Sequence, residues 1–413
     1  RKTNSMSEEE PVRKRAKKKA SKKSARRIKA KGMDSNIPDD LKDFLGTMTK
    51  NYGENSAMQG NKAVVASHIP TGCFLLDLAL CGGPPEGYVS MFYGLPGSAK
   101  STILLRTVAQ YQIKHPDKYV GWVDAEGMYD RQWAEKNGVN TEMLILAQPE
   151  YGELGVDIIE DLLGRKSIGM LVVDSLPSLV PMTVLSKSAE DDTMAAHPRL
   201  MGKLCSKITM TNNRERRAGH WVTTILVNQY RSKVGFVMGN PDILPGGKQI
   251  NHIPTTKVKL RKKETLKGKD IYGSEVDECD VLIFKLEKVK HGQSIKTGEF
   301  KLFLNPNNEE GLPEGSIDNV TPLAVFAKKM GFIEGGGGKY RIVTEKGYDY
   351  AAKRYSTFRL LDDIKEWLRE NEEEYMTLAR SVVSAQRVAM NLPPLPPDRY
   401  LLSRGGRMVT LAR

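Results

Sequence analysis

Cysteine is scarce. The four in 413 residues, Cys73, Cys81, Cys205 and Cys279, are far apart and form no C-x-x-C pair, so neither a disulfide framework nor a zinc knuckle is indicated. They read as small core residues in a reducing compartment. The six histidines show no metal-ligand spacing. No uninterrupted apolar stretch approaches the ~18 residues that span a bilayer, which argues against a membrane role. The first residues lack the apolar segment of a secretory signal, so a cytoplasmic location is expected.

Acidic residues are absent from one long stretch. Arg13 to Lys31 carries 12 Lys or Arg and no acid, which leaves about one unit of the net +13 for the rest of the chain. So charged and apolar-poor a segment cannot bury enough surface to offset its ordering entropy. It is expected to be a disordered arm that binds phosphate without regard to sequence; a solubilising tail or a nuclear-localisation-like signal has the same composition. The expected division is a basic arm at 1–38, a helix and linker at 39–66 and a nucleotide-binding core at 67–315. A small α+β lobe follows at 316–387 and a tail at 388–413. In "DDLKDFLGTMTKNYG", Leu41, Phe44, Leu45 and Met48 recur at helical spacing, and Asp39 or Asp40 suits the N-cap. Such a helix needs a partner surface.

From Tyr88 the pattern alternates. "YVSMFY", "YVGWVD", "MLILA", "GMLVVD" and "WVTTILVNQ" read as strands, with helical periodicity after Lys100 and Asp130 and near Ile158 and Met201. Such alternation predicts a mainly parallel α/β sheet covered by helices. After Gly247, "TTKVKLRKK", "DVLIFKLEKVK" and "EFKLFLN" follow without long helices, as in an antiparallel extension.

The first strand runs into "GLPGSAKST", which departs from the phosphate-loop pattern G-x-x-x-x-G-K-[ST] only where Ala99 replaces the second glycine. A loop between strand and helix can wrap phosphate with the backbone N–H groups of Gly94, Leu95, Pro96, Gly97, Ser98 and Ala99, apart from the proline, which has none. Lys100 adds charge, Ser101 a magnesium ligand, and Thr102 continues into the helix, so a nucleotide with Mg2+ is the expected ligand. Asp174, ending "GMLVVD", suits a second magnesium-supporting acid. Glu126, in "WVDAEGMYD" just past another strand, can orient and deprotonate a water. Gln229 ends the next strand and leads into "YRSKVGFVMGNPDILPGG". There Arg231, Lys233, Phe236 and Met238 have the chemistry of a surface that stacks on bases and contacts phosphates.

These residues resemble the RecA family of homologous-recombination ATPases. The resemblance rests on "PTGCFLLDLAL", "DAEGMYDRQWAEKNGV", "LVVDSLPSLVP", "NQYRSKVGFVMGNP" and the pair Gly246–Gly247, in order from about Asp39 to about Asn371. It implies a RecA-like P-loop core with an N-terminal helix and a small C-terminal lobe. It also implies that Lys100 and Ser101 bind phosphate and magnesium, Glu126 activates water, Asp174 supports the metal and Gln229 couples the γ-phosphate to DNA. Asp130 and Trp133 would meet the adenine, with Trp133 where the family usually has tyrosine. Lys288 and Lys290 would reach a neighbour's ATP. The DNA loops would fall near Lys187 to Arg199, including Met194, and at Tyr230 to Gly247, with Val234 as a wedge between bases.

The implied activity is a DNA-dependent ATPase that forms helical filaments on single-stranded DNA and exchanges strands with a homologous duplex. Ala99, the basic insertion "NNRERRAGHW", the long basic arm and the end "LLSRGGRMVTLAR" are departures that suggest a divergent, phage-encoded member. Two other readings stay open: a DNA-binding scaffold with a degenerate, weakly hydrolysing nucleotide site, and a ring-forming translocase on the same core.

Overall fold

The alternating pattern produces an eight-stranded sheet in the order β10-β9-β8-β1-β5-β4-β2-β3. The computed structural model describes residues 37–53, 55–60, 66–186, 195–232, 242–290, 295–308, 310–343, 357–390, 392 and 394–395. Residues 1–36 of the basic arm, residues 391, 393 and 396–413 of the C-terminal tail and the candidate DNA contacts Met194, Lys233, Val234, Phe236 and Met238 lie outside them.

The helix expected at Asp39 forms as α1 (Asp39–Tyr52), described here by itself. It has no buried residue, and Leu41 and Phe44 are about half exposed. Its N-cap is Pro38 and not an aspartate: Asp39 and Asp40 fall inside the first turn, where they favour the helix dipole, and Asp39 pairs with Lys42 at 2.7 Å.

In the second unit, α2 (Phe74–Ala79) precedes β1 (Val89–Gly94), and α3 (Lys100–Lys114) follows the phosphate loop. Next come β2 (Tyr119–Asp124), α4 (Arg131–Lys136), β3 (Leu144–Ala147), α5 (Gly152–Leu163) and β4 (Ile168–Asp174). Helix α6 (Ala196–Arg217) leads to β5 (Thr223–Asn228), and the two-residue strands β6 (Arg231–Ser232) and β7 (Asp242–Ile243) pair antiparallel. From β8 to β3 the neighbouring strands run parallel. The long hairpin β8 (Thr256–Lys269) and β9 (Glu275–Val289), with β10 (Thr297–Phe303), extends the sheet antiparallel.

Strand alternation divides the core in two. Phe92, Val172, Ile225 and Val227 pack on the face with α2 and α3, while Met91, Val173 and Leu226 pack on the face with α5 and α6. All four cysteines are buried and free. Among the described residues no helix is long and apolar enough to cross a membrane.

The C-terminal lobe comprises α7 (Val320–Lys329), the antiparallel strands β11 (Ile333–Gly336), β12 (Lys339–Ile342) and β13 (Thr357–Phe358), α8 (Leu361–Glu370) and α9 (Glu372–Ala389). Its apolar cluster takes in Phe74 and Leu78 of α2. Arg387 of α9 donates to the Cys81 carbonyl at 2.5 Å.

Beneath this junction Asp77 is fully buried and accepts from the Thr71 backbone N–H and hydroxyl at 2.7 and 2.8 Å. Burial pushes its carboxyl from 3.8 up to about 7, although the Thr71 hydrogen bonds and Arg106 oppose the shift. The folded state therefore holds a proton that the unfolded chain has released, so stability falls as pH rises from about 4 through about 7. Asp77→Asn removes that dependence. Urea midpoints at about pH 5 and about pH 8 are expected to differ less in the variant than in the wild type, with a residual slope from Asp174; equal slopes would place the titration elsewhere.

Candidate nucleotide and DNA site

Four adjacent strands, β1, β5, β4 and β2, end side by side at one edge of the sheet, and each delivers a polar group there. From β1 comes the loop 94–101. Gly94 is required for close approach, because a Cβ would lie 2.2 Å from the Leu260 carbonyl and 2.5 Å from Ser98 Oγ. Leu95, Pro96 and Gly97 are exposed, whereas Ser98 is buried and donates to the Leu95 carbonyl at 2.7 Å.

Lys100, only 7% exposed, donates from Nζ to the Leu95 carbonyl at 2.9 Å and forms no ion pair among the described residues. Burial pushes its ammonium below the ordinary lysine value, and the charges of Asp174 and Glu126 oppose this. A buried cation on exposed loop backbone at a helix N-terminus fits a polyphosphate. Ser101 Oγ donates to Asp174 Oδ2 at 2.9 Å. Burial pushes the Asp174 carboxyl up to about 6; the Ser101 hydrogen bond opposes this and Glu126 adds to it. A hydroxyl and a carboxylate oxygen at this distance fit a hard divalent cation.

Ala99 is the N-cap of α3 and lies in the left-handed region, φ 57° and ψ 26°. It packs against the first core cluster. The cost of replacing glycine is therefore in the backbone, at about 1–2 kcal/mol, against about 0.4–1 kcal/mol that a glycine loses through unfolded-chain entropy. Ala99→Gly is expected to raise unfolding stability by about 0.5–1 kcal/mol and to keep or raise hydrolysis, with ATP affinity little changed. Denaturant titration, nucleotide titration and steady-state turnover check this. Loss of nucleotide binding in the variant would mean that the loop does not cradle phosphate.

Glu126 lies two residues beyond β2 and is exposed. Its Oε1 accepts from Gln229 Nε2 at 2.8 Å, from Ser178 Oγ at 3.3 Å and from Ser175 Oγ. Among the described residues Oε2 accepts nothing, so one oxygen fixes the carboxylate and the other is left for a water. Ser175 and Ser178 were missed in the sequence; their only signal is that they follow Asp174 in "VVDSLPS". Asp124 was read only as a strand end. It accepts from the Met128 and Tyr129 N–H groups at 3.2 and 3.0 Å and from Gln148, and so shapes the turn that carries Glu126.

Asp130 is the N-cap of α4 and accepts from Trp133 N at 3.0 Å. The Trp133 indole donates to Thr102 Oγ1 at 3.3 Å, and a Cβ on Gly315 would touch its ring at 3.0 Å. Both residues thus sit beside the first turn of α3. Gln229 directly follows β5, and its backbone N–H donates to Asn228 Oδ1 at 2.8 Å. The β6–β7 ribbon, which starts at Arg231, forms the base of the second candidate DNA loop. Arg199 is exposed in the first turn of α6.

Lys288 and Lys290 lie away from this group. Lys288 is within β9, not in a loop, and has a partner in its own chain: Nζ donates to the His252 carbonyl at 2.8 Å. Burial and the like charges of Lys290 and Lys257 push its ammonium down. Thr256 pairs with both Ser90 and Val289, so Lys290 is level with the start of β1, whereas Gly94, opposite Leu260, is at the far end. Four residues of strand make about 13 Å, with the phosphate loop lying beyond.

The RecA N-terminal domain model matches residues 39–306. Protein RecA of Mesomycoplasma hyopneumoniae (strain 7448) is 31% identical over 353 residues, covering 82% of this chain and 97% of that protein. Protein RecA of Gloeobacter violaceus is 32% identical over 309 residues, 74% of this chain and 78% of its own length. Protein RecA of Mesoplasma florum is 29% identical over 334 residues, 80% and 91%. With a phosphate loop, two strand-end acids and a glutamine on one sheet edge, and with these matches over most of its length, the chain belongs to the RecA family.

Proposed function

We propose that this protein is a DNA-dependent ATPase of homologous recombination that assembles as a filament on single-stranded DNA and pairs it with a homologous duplex. The observation that carries the reading is the run of polar contacts along the strand ends, from Ser101 to Asp174, from the adjoining Ser175 to Glu126 and from Gln229 to the same Glu126 oxygen. It joins the phosphate loop to the base of the second DNA loop by hydrogen bonds of 2.9 and 2.8 Å at its ends.

Lys100 and the loop N–H groups hold the phosphates of ATP, while Asp130 and Trp133 border the place of the adenine. A magnesium ion held by Ser101 and Asp174 would supply charge neutralisation on the phosphates. Glu126 orients the attacking water and takes its proton on Oε2. Gln229 shares Glu126 with Ser175 and Ser178, so a γ-phosphate that draws the amide away changes both the carboxylate and the start of the loop carrying Arg231, Lys233, Val234, Phe236 and Met238. Arg199 and Met194 would belong to the first DNA loop. Lys288 and Lys290 lie too far along the strands from their own phosphate loop to serve it, which supports a role at a neighbour's ATP. We place this work in the cytoplasm; the relatives are bacterial and lend no support to a phage source.

The second reading, a scaffold with a weakly hydrolysing site, is favoured by the left-handed Ala99. Phosphate release with and without single strands, combined with electron microscopy in ATP, separates the alternatives. DNA-stimulated release with helical filaments is expected. Filaments without stimulated release would favour the scaffold, and closed rings the translocase.

A further inference from the structure

The opposite edge of the parallel strands carries a second site. A cavity of about 380 Å³ opens where β1, β2, β4 and β5 begin. It is separated from the phosphate loop by the length of a six-residue strand, about 20 Å. Two aromatic pairs line it: Tyr88 with Trp221, ring centroids 6.4 Å apart, and Tyr111 with His115 at 4.6 Å. Small residues keep it open. A Cβ on Gly169 would lie 1.9 Å from the Tyr111 hydroxyl, and one on Gly87 2.7 Å from the Trp221 ring. One wall is braced by Arg216, whose guanidinium lies 4.6 Å from the Tyr88 ring centroid and 5.1 Å from that of Trp221 and donates to the Gly87 carbonyl.

The polar group inside is Glu86. Burial would raise its carboxyl, but His115, Lys114 and Ser67 together outweigh that and hold it at about 2. Its Oε1 takes Lys114 at 2.6 Å and His115 at 3.1 Å, whereas Oε2 accepts only from Ser67 among the described residues and keeps a free lone pair. A permanently ionised acceptor selects a ligand that offers N–H. One cation stands in the wall: Lys118 lines the cavity, its Nζ resting on the Lys166 carbonyl at 3.0 Å, while Arg214 is taken by Glu215 at 2.9 Å. Much of this wall is the basic segment "NNRERRAGHW".

Aromatic faces, an anionic acceptor and a lysine in the wall together match one ligand class. We propose that this cavity is a second nucleotide-recognition site, taking a nucleobase with an exocyclic amine whose phosphate meets Lys118. The base stacks on the aromatic walls and its amine donates to Glu86. Thymine is disfavoured, because its ring N–H lies between two carbonyls that a carboxylate repels. The ligand is either a free nucleotide or an unstacked base of a bound strand.

The test is equilibrium dialysis of the full chain with labelled dCMP or dTMP, in saturating ATPγS and magnesium so that the phosphate-loop site is filled. Saturable dCMP binding is expected, with dTMP at least about fivefold weaker. Trp221→Ala should weaken dCMP at least about tenfold while DNA-stimulated ATPase is kept. Glu86→Gln should reduce the preference for dCMP over dTMP. Photocrosslinking of a single strand containing 5-iododeoxycytidine identifies the source: an adduct on Trp221 or Tyr88 assigns a strand base, and dCMP binding without an adduct assigns the free nucleotide. Absence of both saturable dCMP binding and an adduct, or dCMP binding unchanged in Trp221→Ala, overturns the proposal.

Discussion

A Glu126→Gln variant is expected to bind ATP and single-stranded DNA as the wild type does and to lose at least about two orders of magnitude in turnover. The amide oxygen can still accept from Gln229, Ser175 and Ser178, which together hold Oε1, so the local structure survives. What is lost is the basic oxygen that no other described residue engages. Single-turnover phosphate release, measured beside nucleotide and DNA binding isotherms, checks this. Turnover within about threefold of wild type would remove Glu126 as the base and leave it as a support for the strand end.

The second large effect is at the other edge of the sheet. Lys290→Ala is expected to lose DNA-dependent ATPase by at least about 100-fold, comparable to removing a charge-stabilising group from a phosphoryl-transfer site. Cooperative assembly should weaken with it. Lys290 is exposed and about 13 Å of strand away from the start of its own phosphate loop, so the loss is expected to arise between subunits. Mixing gives a sharp check. In an equal mixture of Lys290→Ala and Glu126→Gln, roughly a quarter of head-to-tail contacts pair an intact Glu126 with an intact Lys290, and ATPase should return to about that fraction. A lysine acting on its own ATP would allow no recovery.

The main sheet was legible because each strand carries its apolar residues in a short run and each loop after it carries a polar group. Glu126, Asp174 and Gln229 sit within two residues of strand ends, where pattern reading put them. Other features were hidden for specific reasons. The backbone sign at Ala99 is a dihedral, and a one-letter change from glycine shows only that a cost exists. Ser175 and Ser178 act through a carboxylate about fifty positions earlier, a relation with no local signature. Pro38 displaced the aspartates as cap because a proline just before the first turn already has the extended geometry that a cap needs. Phe74 and Leu78 join the C-terminal lobe's core across more than 240 positions, so a boundary drawn from composition near 316 does not reveal that contact.

The distance across the sheet between Lys290 and the phosphate loop has a consequence for output per subunit. In a chain of n copies in which each ATP needs a neighbour's lysine, one terminal ATP has no lysine and one terminal lysine has no ATP. Only n − 1 of n sites can then turn over at full rate, so a dimer works at roughly half the specific activity of a long polymer. Specific activity on short oligonucleotides should therefore climb with strand length and level off. Fragments severed from a long assembly should lose activity in proportion to the number of new ends.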